Sequence, residues 1–352
     1  NGSKESRGTL TSGGTESILC ACKAYRDYGL KIKGIKNPIM LVPESAHAAF
    51  DKAGESFGIK IVKIPIDENY ELDIGYLETN INKNVVCIVG SAPSFPHGIM
   101  DPIKRLGELG INYDIPVHVD CCLGGFLLPF MENRSEFDFD FSVDGVTSIS
   151  CDYHKYGYSP KGISIIMYES RKYIDYQYYI EPDWMGGIYA THVLTGSRPG
   201  NIIVQTWATM LYYGMEGYKT NTNRIIETAN YIRKELDSIE NIDVIGNSKL
   251  SVIGLKSDKY NIYKINDKLK EKGWHLNVLQ NPSSIHICVT EQHVNEEIHS
   301  KFIDDIKEII GSLSLNENQE DDNSTIYGTN QKVKKGSIIR AVVLNYLDYL
   351  YH

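Results

Sequence analysis

Short apolar runs alternate with helical patterns through the first half of the chain, and that alternation leaves few folds open. The runs are "IMLV" (39–42), "KIVKI" (60–64), "VVCIV" (85–89), "VHV" (117–119), "GVTSIS" (145–150) and "ISIIMY" (163–168). Helical patterns lie at 15–28, 46–57, 73–82, 102–113 and 124–131. Strands that are apolar throughout, with helices between them, predict a mainly parallel sheet covered on both faces. Crossovers in such a sheet are right-handed, and ligands sit beyond the carboxyl ends of its strands.

From Pro199 the pattern changes. Two long helices are predicted, in "PGNIIVQTWATMLYYGMEG" and "NRIIETANYIRKELDSI". Strands follow at 250–256, 275–279 and 284–290, with helices at 261–271 and 294–311. In the last of these, Val294, Ile298, Phe302, Ile306, Ile309 and Ile310 mark one helical face. The expectation is an α/β chain: a large domain over 1–215 and a smaller C-terminal α+β domain over 216–352. Residues 315–324, "LNENQEDDNS", read as an acidic surface loop or linker, and an amphipathic segment at 335–351 is expected to pack back on the body.

Composition narrows the function classes. The chain has 352 residues, 42% of them hydrophobic and 23% charged, and a net charge of −9. That balance, without a long basic stripe, argues against a nucleic-acid partner. Seven cysteines include the close pairs Cys20/Cys22 and Cys121/Cys122, but no CxxC and no accompanying histidine cluster, so no metal site is predicted. Free thiols in a reducing compartment fit this pattern better than disulfides. No apolar run reaches the ~20 residues of a spanning helix, and no signal peptide opens the chain. The first residues, "NGSKESRGTLTSGGTES", read as though the chain starts inside a longer protein.

Four stretches carry candidate chemistry, and each has a plain structural alternative. In "TSGGTES" (11–17) two glycines lead into Thr15 and a helix. Backbone amides there, Gly14 and Thr15 included, make an anion cradle, or else Thr15 is only an N-cap. In "VHVDCCLGGF" (117–126) a buried strand ends in Asp120. Such a carboxylate needs a cation: a salt-bridge partner, or a protonated ring nitrogen. In "SAHAAFDKA" (45–53) His47 falls in the first turn of a helix at the sheet's carboxyl edge, as a surface or capping residue or as a ring-stacking one. In "GVTSISCDYHKYGYSPKG" (145–162) His154 and Lys155 follow a buried strand at once. Lys155 is then either a solvated loop residue or an amine kept dry, where burial favours the reactive neutral form. A fifth stretch, "WMGGIYATHVLTGSRPG" (184–200), is a long Gly-rich segment holding Tyr189 and Arg198. A phosphate cradle, an aspartate for a pyridinium nitrogen, a histidine for a ring face and a lysine for an aldehyde together describe a pyridoxal phosphate site.

These stretches, with "FPHG" (95–98), "KGWHLN" (272–277), "SIHICVT" (284–290), "YG" (327–328) and "LDYLY" (347–351), make the chain similar to the sphingosine-1-phosphate lyases, pyridoxal phosphate enzymes of fold type I within the group II decarboxylases. The resemblance covers essentially the whole chain. It implies a seven-stranded-type, mainly parallel sheet in the large domain, and C2–C3 cleavage of a sphingoid base 1-phosphate to a long-chain aldehyde and phosphoethanolamine. It implies Lys155 as the Schiff-base lysine, His47 on the ring, Asp120 at its nitrogen, and Gly14, Thr15 and His154 around the phosphate. Lys161 and Tyr189 resemble residues needed for activity near the substrate, and the base that takes the C3-hydroxyl proton is Tyr189 or Lys155. The fold type implies a homodimer in which "LTGSRPG" (194–200) reaches across, so that Ser197 or Arg198 meets the neighbour's cofactor phosphate. Eukaryotic relatives imply an endoplasmic reticulum membrane location with the catalytic domain facing the cytosol. The upstream anchor is absent from these residues, so the chain alone is expected to be soluble and cytoplasmic. Cys121 stands where alanine is more usual. Two other readings stay open: an amino-acid decarboxylase, and a cofactor-free fragment.

Overall fold

The computed structural model describes residues 2–132, 134–313 and 336–350. The predicted linker at 315–324 and the "YG" at 327–328 lie outside them. In chain order the first elements are β1 (Arg7–Thr11), α1 (Gly14–Lys33), β2 (Ile39–Pro43), α2 (Ala49–Phe57), β3 (Lys60–Ile64), α3 (Ile74–Asn80), β4 (Val85–Ser91), α4 (Ile103–Tyr113), β5 (Val117–Asp120), β6 (Val146–Asp152) and β7 (Ser164–Tyr168). They form a seven-stranded sheet in the order β1-β7-β6-β5-β4-β2-β3. Pairing from β3 through β6 is parallel, and β7 runs antiparallel to both of its neighbours. The predicted α/β architecture is therefore present, with six of the seven strands anticipated.

Burial explains the order. β4, at the centre, is buried along its whole length, and β5 and most of β6 are buried beside it. α1 lays Cys20, Ala21, Cys22, Ala24 and Tyr25 on the sheet with no exposed surface. Small residues let α4 come close: a Cβ at Gly107 would stand 2.2 Å from the carbonyl oxygen of Asp144, just before β6.

Two local expectations are corrected. Residues 124–131 are not an α-helix but two 3₁₀ turns, Gly124–Phe126 and Leu128–Phe130, because Pro129 lacks the amide that a continuing helix would need. His47 stands before α2 rather than in its first turn, and its Nδ1 accepts the Ala49 amide at 3.1 Å.

Beyond β7 come α5 (Arg171–Ile174), the hairpin of β8 (Tyr179–Glu181) with β9 (Tyr189–Thr191), and α6 (Asn201–Asp237). The last runs where two helices were predicted, and it breaks at Gly214, whose φ of 58° is left-handed. The chain divides into two compact units, Asn1–Arg224 and Ile225–His352, a short way past the expected 215/216 boundary. In the second unit β10 (Asp243–Val244), β11 (Val252–Lys256), β12 (Asn277–Leu279) and β13 (Ser284–Cys288) form an antiparallel sheet in the order β10-β11-β13-β12. It carries α7 (Ile262–Glu271) and α8 (Glu296–Ser312), the latter burying Phe302, Ile303, Ile306 and Ile309. The final helix, α9 (Gly336–Tyr349), does not pack as expected: its residues from Arg340 to Tyr349 are exposed. Its apolar residues fall at 338–339, 341–344, 346–347 and 349, which wraps them round the helix instead of aligning one stripe.

Candidate active site

The carboxyl ends of the parallel strands and the start of α1 enclose a cavity of about 480 Å³. Gly14, Thr15, His47, Asp120, His154 and Lys155 all line it, together with Ser12, Gly13, Ser91, Phe95, Cys122 and Asp152. Five segments far apart in sequence thus converge because each ends or follows a strand at the same sheet edge.

At one end lies the N-terminus of α1. Four amides of a helix's first turn have no carbonyl to bond within the helix, and here no side chain caps them. Thr15 is not the N-cap, which is Gly13. A Cβ at Gly14 would lie 2.9 Å from both Asp152 Oδ2 and Cys122 Sγ, so only glycine leaves the turn open. Glu16 locks this turn from behind. Its Oε2 accepts the Ser12 amide at 2.7 Å, and its Oε1 accepts the amide and hydroxyl of Thr195 at 3.1 and 3.2 Å. Burial would raise the Glu16 pKa, but these donors outweigh it and hold the carboxyl below its ordinary value.

At the other end β5 delivers Asp120, buried to 8% exposure. Its Oδ1 accepts the Cys122 amide and the Ser150 hydroxyl, each at 3.0 Å. Burial pushes its pKa up, but the Cys122 donors, with His118 and Lys155, outweigh burial and keep the carboxylate charged.

Lys155 stands in the turn after β6. Its Nζ lies 3.0 Å from Asp152 Oδ2, the last residue of that strand. The expected effect of burial, a depressed amine pKa, is present but overridden: Cys122, Asp152 and Asp120 raise the Lys155 pKa. Asp152 is 3% exposed, and its Oδ1 has no hydrogen-bond partner. His154 is held through Nδ1, 2.8 Å from the Ile163 carbonyl, which leaves Nε2 facing Asp152 at 3.7 Å.

Three predicted residues do not line the cavity: Lys161, Tyr189 and Ser197 are exposed on the surface. Tyr189, in β9, meets the rings of Tyr179 and Trp184 edge-on, at 6.3 and 6.1 Å. Arg198 reaches His192 of its own chain at 3.5 Å. Sequence reasoning missed Asp152, Cys122, Glu16 and Ser150. Asp152 alone left a signal, as an acid three residues before the lysine at a strand end.

The cavity suits a flat ring with an anionic arm. Uncapped amides and an open glycine turn fit a phosphate, the free side of Asp120 fits a protonated ring nitrogen, and Lys155 fits an aldehyde.

Residues 1–256 match the pyridoxal-dependent decarboxylase conserved domain. The chain is 46% identical to rat (Rattus norvegicus) sphingosine-1-phosphate lyase 1, aligned over 100% of this chain and 62% of that one. It is 43% identical to sphingosine-1-phosphate lyase of Drosophila melanogaster, over 100% of this chain and 65% of the relative. The chain therefore spans under two thirds of the length of these relatives. Among solved structures it resembles Burkholderia pseudomallei sphingosine-1-phosphate lyase, with a TM-score of 0.88 and 34% identity over 99% of this chain and 75% of that one. Lactobacillus brevis glutamate decarboxylase shares the fold, with a TM-score of 0.76 at 22% identity over 90% of this chain and 76% of that one.

Proposed function

Because this chain belongs to the pyridoxal-dependent decarboxylase family, we propose that it is the catalytic part of a sphingosine-1-phosphate lyase, cleaving the C2–C3 bond of phosphorylated sphingoid bases. The products are a long-chain aldehyde and phosphoethanolamine. The observation that carries this reading is the meeting of Lys155, Asp120 and the uncapped start of α1 in one cavity, in a chain 46% identical along its whole length to a relative of that name. When bound, pyridoxal phosphate supplies an aldehyde that captures an amine and a ring that accepts the electron pair of the broken bond.

The chain's own residues do the rest. Lys155 offers the amine that holds the aldehyde, and Asp152, 3.0 Å away, keeps that amine charged whenever it is released. The amides of Gly14 and Thr15, with His154, bind the phosphate arm. His47 covers a ring face. Asp120 uses the oxygen not engaged by Cys122 and Ser150 to hold a proton on the ring nitrogen. Lys161 serves as a point charge for the substrate phosphate. Tyr189 or Lys155 takes the proton from the C3 hydroxyl.

The working form we propose is a homodimer, in which Ser197 of one subunit approaches the phosphate arm held by its neighbour. For a eukaryotic source this reading goes with the endoplasmic reticulum membrane. No helix among the described residues is long and apolar enough to cross a membrane. Product analysis tests the function. Incubation with sphingosine 1-phosphate and pyridoxal phosphate is expected to yield a long-chain aldehyde and phosphoethanolamine in equal amounts. Carbon dioxide released from an amino acid, with no aldehyde from the lipid, would replace this reading by a decarboxylase.

A further inference from the structure

Behind Asp120 lies a group that the proposed chemistry does not use. His118 precedes it by two residues on β5, so the same face of the strand carries both side chains. It has no exposed surface, and no ligand can reach it. Its ring joins a line of hydroxyls. Ser150 Oγ is 3.3 Å from Nε2, and Ser148 Oγ is 2.7 Å from Nδ1. Ser148 Oγ in turn accepts from the Tyr25 hydroxyl at 2.5 Å, and that hydroxyl also lies 2.7 Å from Thr147 Oγ1.

The proton count fixes the direction of this line. Ser150 has one hydroxyl proton and gives it to Asp120 Oδ1. Toward His118 it can only accept, so Nε2 carries a hydrogen. A neutral imidazole then has a lone pair on Nδ1, which Ser148 fills with its own proton. Ser148 accepts in turn from Tyr25. Each donor therefore points toward the carboxylate. A reversed tautomer would leave Nε2 and Ser150 competing for one proton. Burial keeps the ring neutral, with a pKa lowered to about 4.

We propose that His118 is a positioning residue for the cofactor: its Nε2–H tautomer, set by Ser148 and Tyr25, orders the Ser150 proton onto Oδ1 of Asp120 and so reserves the other oxygen for the ring nitrogen. A hydrogen-bonded line of this kind polarises along its length, and in a buried site each of its bonds is stronger than in water. The inference rests on the proposed pyridoxal phosphate site and adds to it a device that fixes which carboxylate oxygen meets the ring.

Paired affinities test it. Pyridoxal phosphate is compared with an analogue whose ring nitrogen is replaced by C–H, both titrated into the full chain. The wild type is expected to prefer the natural cofactor. In His118→Leu that preference should fall about tenfold, the scale of one hydrogen bond to a charged group, while the affinity for the analogue holds. His118→Gln, which restores a donor near Nε2, should recover most of the preference. Ser148→Ala, a smaller change remote from the cavity, should lower it in the same sense without unfolding the chain. If His118→Leu and Ser148→Ala weaken both ligands equally, or neither, the histidine serves packing alone and the proposal fails. A wild type that binds neither ligand would instead sink the cofactor reading itself.

Discussion

Lys155 and Asp152 form the pair on which most depends. Lys155→Ala should leave the fold intact and abolish both turnover and the borohydride-reducible link between chain and cofactor. A reducible adduct that survives in the variant would mean that another lysine is the anchor. Asp120→Asn should retain cofactor but lose several orders of magnitude in rate, each tenfold being about 1.4 kcal/mol. Activity within about twofold of wild type would make Asp120 a structural residue. His118 also has a stability signature. Its pKa is 6.5 in the unfolded reference and about 4 in the fold. Between those values the unfolded chain binds a proton that the folded chain refuses, so stability falls as pH drops through this window. Asp101 acts oppositely. Burial raises its pKa from 3.8 to about 7, so the folded chain keeps a proton that the unfolded one loses, and stability falls as pH rises. The two offset each other in wild type, and His118→Gln should unmask Asp101. Between pH 7 and pH 5 the variant should gain about 2 kcal/mol relative to wild type in urea unfolding. Equal pH dependence in both proteins would mean that His118 is not held neutral. Asp120, His154 and Lys155 were legible because each ends or closely follows a buried strand in its own sequence. His118 and Ser150 were not, because their partners come from the neighbouring strand, and Asp152 left only the signal of an acid three residues before the lysine.

Glycines set how closely elements approach, and Gly107 is the sharpest case. An added methyl would meet the backbone oxygen of Asp144 at 2.2 Å, and backbone cannot rotate away as a side chain can. Gly107→Ala favours the helix by up to about 1 kcal/mol, but forcing α4 off the segment before β6 costs about 1–3 kcal/mol or more. Net destabilisation is expected, read as a lower urea midpoint, and cofactor retention should fall with it because β6 leads directly into Lys155. A midpoint at or above wild type would show that α4 can shift without cost. At this scale the central parallel strands were legible, since β4 and β5 are buried along their whole length and β2 nearly so, and their apolar runs are almost continuous. β1 was not. Its residues, "RGTLT", lie at the sheet edge with only Thr11 buried, so apolar periodicity never develops. The pairing with β7 that makes it a strand is wholly non-local.

Scale matters differently for the surface between 179 and 215. Trp184 is 57% exposed, Ile188 80% and Trp207 63%, and Met185, Val204, Leu211 and Tyr212 are exposed beside them in sequence. Indole and aliphatic side chains left in water in such number are what the proposed dimer would cover. The same stretch holds Tyr189 and Ser197, two of the three predicted site residues that do not line the cavity. Sequence alone suggested their chemistry but not their distance from Lys155, which depends on how the 179–200 segment folds back and leaves no local pattern. Glu16 joins the two regions: it locks the phosphate turn and, through Thr195, fixes the start of the "LTGSRPG" segment. Each subunit would then build one cavity and lend its 194–200 segment to the other, which is possible only in a two-fold pair. Mixed dimers test this. Lys155→Ala and Arg198→Ala should each be inactive or nearly so when pure. Mixed and reassembled, half of the dimers pair one of each, and one of their two sites then has both residues intact. Activity should return to about a quarter of wild type. If Arg198 serves only its own subunit, every mixed site lacks one residue or the other, and the mixture should stay as inactive as its parts.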